Sequence, residues 1–467
     1  MKKYFSYFLL LIIIAACSKD ETKKFSFMPE TPQVGDEITI QFISDQENLK
    51  EVSEMNMIIY SFGKELLNTS KIVLKKKDNV WIGKFKSDKD TKGLITKFMS
   101  GEIIDDNNQL GYVIPLFDND DNELPGYKAG LANVYQRWAG AAGLKKDSEL
   151  ANKYFKEDFT KHPEIKNEFL NGYVSSFPKN KIDSVAAAEI EKLEEKNNFT
   201  QSELEFLTNW TRNIGDHVKS LKYFELVQEK YPESNLIKSK YYGKFRNMLT
   251  VEKKLEVFNE YINFDKKSEV SAYMLANIVH QQVKEKDIAA AKKLLREYLY
   301  LANSNLYNGI AWNIFETKKN LEDGLKYCEK GIELARNEVT KPSGIKPVYI
   351  DDEQWKDSRK TSLGVILDTY ANIQNELGKK KEALNSFEEA TILTNGDYPE
   401  MNESYVALLF ELNQIEKAKI KAEEFISKGK STDKIEEIFN NAFLKLGGSK
   451  EELNKQLGKI DESTNQN

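Results

Sequence analysis

Two thiols and three imidazoles are the rarest reactive groups in this chain of 467 residues. Cys17 and Cys328 stand too far apart for a Cys-x-x-Cys redox pair, and they are too few for a disulfide framework or a four-thiolate zinc site. His162, His217 and His280 are separated by more than fifty residues each, so no His-Glu-x-x-His metal pair exists. His162 precedes Pro163 and His217 follows Gly215-Asp216, both places where a chain reverses. There is no Gly-x-Ser-x-Gly elbow and no Gly-Lys-Ser/Thr loop to cradle a phosphate. Asp118, Asp120 and Asn122 have the alternate spacing that opens a calcium loop, but Gly is missing at the sixth position and Glu at the twelfth. Asp105, Asp106, Asn107 and Asn108 read as ordinary turn residues, so both acidic loops are expected to be solvated. The expectation is a protein without catalytic residues, metal or cofactor.

Cys17 differs from Cys328 because of what precedes it. Lys2 and Lys3 are followed by an apolar stretch from Tyr4 to Ile14, shorter than the roughly 20 residues of a spanning helix. Such a segment reads as a signal peptide. Ile14-Ala15-Ala16-Cys17 then resembles the lipobox of bacterial lipoproteins, in which small residues let a peptidase close around the backbone before a cysteine that accepts diacylglycerol. Each buried methylene contributes about 0.8 kcal/mol, so several acyl chains on Cys17 would anchor the protein durably. Ser18-Lys19-Asp20-Glu21-Thr22 resembles the acidic start that routes some Bacteroidetes lipoproteins to the cell surface, yet Lys19 interrupts it. The periplasmic and surface faces of the outer membrane both stay open.

The elements behind the anchor change period along the chain. Glu37 to Phe42 alternates Ile38, Ile40 and Phe42 with polar neighbours, as a half-buried strand requires, and Pro29, Pro32 and Gly35 punctuate its entry. Further strands are expected at Asn56 to Ser61, Ser70 to Leu74, Val80 to Phe85, Leu94 to Met99 and Tyr112 to Phe117. Short strands at such spacing predict an antiparallel β-sandwich of Ig-like type, without the Cys-Trp-Cys signature of antibody domains, and place Trp81 in its core.

From about Tyr127 the periodicity is helical and repeats. Ala383, Phe387 and Ala390 lie on one helical stripe behind the turn Leu377-Gly378, a spacing that resembles the tetratricopeptide repeat (TPR). The frame recurs at Ala151/Phe155, Ala186/Ile190, Ser220/Phe224, Lys254/Phe258, Ala291/Leu295, Gly324/Cys328 and Ala418/Ala422. Subtracting the leading positions in order, with Ala383 in its place, gives steps of 35, 34, 34, 37, 33, 59 and 35. All but one lie near the TPR period of about 34 residues. Pro163 and Pro232 each fall twelve residues after the small residue of their repeat, where proline ends a helix. Leu377-Gly378, Leu412-Asn413 and Leu446-Gly447 repeat the turn. The step of 59 marks an insertion near 337–360, where Pro342, Gly344 and Pro347 break the pattern. Lys254 is a poor packing residue, and Cys328 sits where a bulky side chain fills the helix-helix gap, so it is expected to be a buried apolar group.

Length and charge set the remaining bounds. A chain of 467 residues with 40% hydrophobic and 11% aromatic residues is too apolar for disorder and too long for one core, so more than one domain is expected. With 68 Lys+Arg against 74 Asp+Glu, no excess of positive charge is present to hold a nucleic-acid backbone, and nucleic acid is not an expected partner. The expected divisions are a signal peptide at 1–16, an acylated linker at 17–24, the sandwich at 25–125, a TPR-like α-solenoid at 126–458, and a disordered tail at 459–467.

The lipobox, the entry Pro29-x-x-Pro32-x-x-Gly35-Asp36, the small sandwich and the helical hairpins together resemble the amino-terminal region of Bacteroidetes envelope lipoproteins that end in a thioredoxin-like domain. Ala129 to Ala132 through Arg137-Trp138, then Leu144 to Phe155, resembles the first hairpin of that group. The thioredoxin-like domain and its Cys-x-x-Cys are absent from this sequence, so redox activity is not carried over. What the resemblance implies is a lipid-anchored protein of the bacterial envelope, held at the outer membrane, whose TPR-like repeats bind another envelope protein. In TPR proteins the first helix of each hairpin lines a groove, and some members clamp a partner's terminal carboxylate there with Lys and Asn. Asp368, Asn372 and Glu376, with Glu403 and Glu411 on the next repeat, are the candidate groove residues here; Asp368 stands where a lysine would serve. Their charge predicts basic partner segments. A second reading is a nutrient-capturing lipoprotein that partners an outer-membrane transporter, with residues 337–360, including Tyr349 and Trp355, as its aromatic loop.

Overall fold

The structure is a computed structural model that describes residues 23–456. The signal peptide, Cys17 and the expected tail at 459–467 lie outside the described residues. The chain divides into two compact units, one through Lys179 and one from Asn180.

The first unit is built on antiparallel strands: β1 (Phe25–Met28), β2 (Glu37–Phe42), β3 (Asn56–Phe62), β4 (Leu66–Val73), β5 (Lys75–Lys77), β6 (Val80–Lys86), β7 (Gly93–Ser100), β8 (Ile103–Asp105) and β9 (Tyr112–Pro115). One sheet has the order β1-β2-β6-β5; the other runs β4-β3-β7-β8, with β9 also on β7. Alternation decides which side chains meet between them. Ile38, Ile40, Phe42 and Trp81 from the first sheet share a core with Met57, Ile59, Phe98 and Ile114 from the second, and Phe42 stacks on Phe98 at 3.7 Å between ring centres. This is the expected sandwich, with β2 at its expected bounds.

Strand β3 departs from simple alternation, because all seven of its residues are buried. Met57 and Ile59 face the sandwich core, while the opposite face is covered by helix. After a short α1 (Glu47–Lys50), the covering segment is α2 (Tyr127–Asn133), a π-helical turn at Val134–Trp138 and α3 (Ala139–Ala142), with α4 (Ser148–Lys161) and α5 (Leu170–Ser175) following. Phe62 stacks on Tyr127 at 6.2 Å, Asn133 Nδ2 donates to the Lys64 carbonyl at 2.7 Å, and Lys97 Nζ donates to the Ala142 carbonyl at 2.9 Å. Glu65 accepts from Trp138 Nε1 at 2.9 Å and pairs with Arg137 at 2.5 Å. Asp158 of α4, buried, accepts from the Ala129 amide at 2.8 Å and so caps α2 from a neighbouring helix. The continuous helical region thus begins at Tyr127, next to the expected change at 126, but the compact unit continues through Lys179, and its first helices cover the second sheet.

The acidic loops differ from each other. Asp118 uses its Oδ1 on the Asp120 and Asn122 amides, both at 2.9 Å, and these bonds hold its pKa below the usual value. Asp105 is not a solvated turn residue. It is buried, accepts from Tyr112 Oη at 2.7 Å and pairs with Lys24 at 2.9 Å, which ties the start of β1 to β8.

The second unit is helical: α6 (Lys179–Glu194), then the pairs α7 (Gln201–Asn213) and α8 (His217–Lys230), α9 (Asn235–Arg246) and α10 (Val251–Phe264), α11 (Glu269–Lys284) and α12 (Ile288–Glu297), α13 (Ser304–Thr317) and α14 (Leu321–Thr340), α15 (Asp352–Glu376) and α16 (Lys380–Leu393), α17 (Pro399–Glu411) and α18 (Ile415–Ser427), and last α19 (Asp433–Lys445). Six of the eight repeat frames read from spacing fall on α8, α10, α12, α14, α16 and α18, the second helix of each pair, whereas Ala186/Ile190 falls on α6 and Ala151/Phe155 on α4, inside the first unit. Its small and bulky positions are buried: Ala291 and Leu295, Ala383 and Phe387, Ala418 and Ala422, with Cys328 fully buried and its thiol pKa raised by burial. One helix pair cannot cover its own apolar stripe, so adjacent pairs share cores, such as the cluster that joins Phe387, Tyr405, Phe425 and Phe439 from α16 to α19.

Two irregularities have local reasons. Lys254 is accommodated because its ammonium donates to Asn277 Oδ1 at 2.8 Å and Gln281 Oε1 at 2.7 Å on α11. The insertion is mostly helix: α14 has 20 residues and α15 has 25, and only 341–351 is non-helical. Asp351 and Gln354 form a capping box that starts α15 before Trp355, so Trp355 is helical and lies against Arg359 at 3.7 Å, while Tyr349 stays in the loop. The turns repeat as spaced, with positive φ of 75° at Gly378, 61° at Asn413 and 90° at Gly447.

Candidate binding residues on the helical repeats

The five groove candidates lie on α15 and α17, the first helices of their pairs, as their spacing predicts. The structure brings together only Asp368 and Asn372. Asn372 Nδ2 donates to the Asp368 carbonyl at 2.9 Å and to its Oδ1 at 3.1 Å. Glu376 is taken by Lys318 at 2.5 Å, Glu411 by Lys380, and Glu403 accepts from the Thr432 hydroxyl at 2.7 Å. The two ion pairs link residues from successive helix pairs. Exposed pairs of this kind contribute about 0–1 kcal/mol each, so they align neighbouring repeats more than they stabilise them. What remains of the acidic face is thereby largely committed to contacts within the chain.

Asp368 is the member with unusual electrostatics. Burial raises its carboxyl pKa to about 6, and the Asn372 amide offsets this only in part. A raised folded-state pKa means that stability is fully present while the unfolded-state carboxyl is protonated, and is lost as pH climbs through the folded value. From the usual 3.8 to about 6, at about 1.36 kcal/mol per unit, the loss is at most about 3 kcal/mol. Asp368→Asn is therefore expected to raise the melting temperature above about pH 7 and to leave it unchanged below about pH 3.5. Melting curves of both proteins across that range test it; equal stability at every pH would refute it.

Of the histidines, His280 is half-buried, bonds to the Leu306 carbonyl at 3.2 Å and has its pKa lowered by burial. His162 lies 3.7 Å from Glu164. Among the described residues no cluster of three or more His, Cys, Asp or Glu side chains has metal-binding geometry, and no helix is long and apolar enough to cross a membrane.

The sequence reading missed a basic site on the second helices. Lys292 and Arg296 on α12, and Lys326 and Lys330 on α14, border one cavity of about 360 Å³. The signal was present as two pairs of cations spaced four apart, which puts each pair on one helix face. Only the packing of α12 beside α14 joins them.

No known protein family matches the chain, and no curated protein matches it. Solved structures that it matches include the APC/C hetero-tetramer Cut9-Hcn1, at 10% identity over 68% of this chain and 54% of that chain, with a TM-score of 0.29. The chain therefore spans about half of that protein's length. Another is the assembly chaperone of RpL4 (Acl4, residues 1–338), at 15% identity over 63% of this chain and 96% of that chain, with a TM-score of 0.18.

Proposed function

We propose that this protein is a lipid-anchored component of the bacterial cell envelope that holds another protein on its TPR-like helical repeats and catalyses no reaction. The observation that carries the reading is the repeat register itself: the small and bulky positions are buried on successive second helices, so each pair leans on the next and presents a series of similar faces. Such a surface suits an extended partner segment better than a small molecule. The anchor rests on the sequence around Cys17, and the outer membrane is the location the resemblance implies.

Cross-linking in cells, followed by identification of what is captured, tests the scaffold. Recurrent capture of one envelope protein is expected. Capture of an outer-membrane transporter that shares a saccharide or peptide ligand with this protein would instead establish nutrient capture. The anchor has its own test. Radiolabelled palmitate should mark the protein, and Cys17→Ala should remove both the label and the membrane fractionation; label that persists in the variant would contradict lipidation.

A further inference from the structure

The cavity of about 360 Å³ beside α12 and α14 combines an apolar floor with a mainly basic rim. Its volume is at the low end of the range for ligand sites, about 300–1,000 Å³, and fits one bulky side chain better than a folded surface. Leu295 and Tyr307 are buried beneath it, and Leu299, 58% exposed, stands at its edge. Tyr327 lies beside Tyr307, with ring centres 6.2 Å apart, so the floor continues as an aromatic wall. Four cations border the cavity against a single acid, Asp323, which is engaged by Lys292 at 2.9 Å. Asp323 also lies 3.9 Å from Lys326.

Arg296 and Lys330 have no carboxylate partner among the described residues, and both are exposed. Some lysines elsewhere in the repeats do pair across neighbouring elements, such as Lys219 with Glu194 at 2.7 Å, Lys244 with Glu260 at 2.6 Å, and Lys417 with Glu388 at 2.8 Å, whereas these two cations border an apolar cavity. Lys292 and Lys326 share Asp323, but Arg296 and Lys330 add like charge around the cavity at a cost in repulsion that no carboxylate among the described residues offsets. The local charge also opposes the net charge of -6, which favours an anionic partner at this point.

We propose that this cavity is a docking point for an acidic segment of the partner protein. One leucine or aromatic side chain enters between Leu299 and Tyr327, and flanking carboxylates meet Arg296, Lys326 and Lys330. The inference rests on the scaffold reading and gives the partner a chemistry opposite to the one the acidic face of α15 and α17 predicts.

The test uses the full acylated chain in detergent and a fluorescent peptide, Asp-Glu-Phe-Glu-Asp, followed by anisotropy. The peptide is expected to bind, to weaken with added salt, and to bind Arg296→Glu/Lys330→Glu at least about tenfold more weakly. Both residues are exposed and unpaired, so the variant should fold, which circular dichroism checks. Lys230→Glu/Lys450→Glu makes the same change in net charge at exposed residues of other helices that do not line the cavity, and should bind as the unaltered protein does. No binding by the unaltered protein, equal loss in the two variants, or equal binding of Asn-Gln-Phe-Gln-Asn overturns the proposal. So does a dansylated fatty acid that fills the cavity when the peptide does not. In cells, a cross-linked partner captured equally by Arg296→Glu/Lys330→Glu would remove this docking point and leave the scaffold standing; failure to capture any partner would remove the scaffold itself.

Discussion

Phe387→Asp is expected to unfold the repeats around α16 while leaving the sandwich intact. Phe387 is 1% exposed and packs in the cluster shared by α16 to α19, so the change removes an aromatic core residue and leaves a carboxylate without a partner. Loss of the ring alone costs about 3–5 kcal/mol, and burying the charge adds to it. Repeat arrays lose stability locally because each unit depends on its neighbours. Hydrogen exchange should therefore show lost protection in α15 to α18, with the strands β2, β3 and β7 unaffected. Unchanged protection in α16 would contradict the packing register.

Gly130→Ala should destabilise the first unit, although alanine is the better helix former by about 1 kcal/mol. The reason is a close approach: a Cβ on Gly130 would stand 2.0 Å from the Gly63 carbonyl oxygen and 3.1 Å from the Phe62 ring. Neither neighbour can move freely, since Phe62 is buried in β3 and the Gly63 amide is bonded to the Glu65 carbonyl at 2.9 Å. Overpacking of this kind costs about 1–3 kcal/mol or more, enough to exceed the propensity gain. Gly140→Ala supplies the comparison. It lies in the same helical segment with nothing within 4 Å of a Cβ, so it should be neutral or stabilising by up to about 1 kcal/mol. Thermal melting of the two variants should move in opposite directions; parallel shifts would refute the account.

The candidate site was legible only in part. Asp368, Asn372, Glu376, Glu403 and Glu411 could be placed on first helices because helical spacing fixes the face. Their partners could not be read. Lys318 lies 58 residues from Glu376, and Lys380 lies 31 from Glu411, distances that only folding across repeats closes. The same limit hid the basic cavity, whose cations occupy two helices separated by the whole of α13.

What the sequence determined by itself is everything governed by short-range period. Alternation in Glu37 to Phe42 gives a strand with one buried face. Spacing of four between Ala383 and Phe387 gives a packing stripe, and Gly378, Asn413 and Gly447 give the left-handed turns. Only the tertiary structure decided that α2 and α3 cover the second face of β3, that Asp105 is a buried partner of Lys24, and that the insertion is mostly helix. Each of those depends on which distant surface removes water from a side chain. Burial is a property of two segments together, whereas periodicity is a property of one.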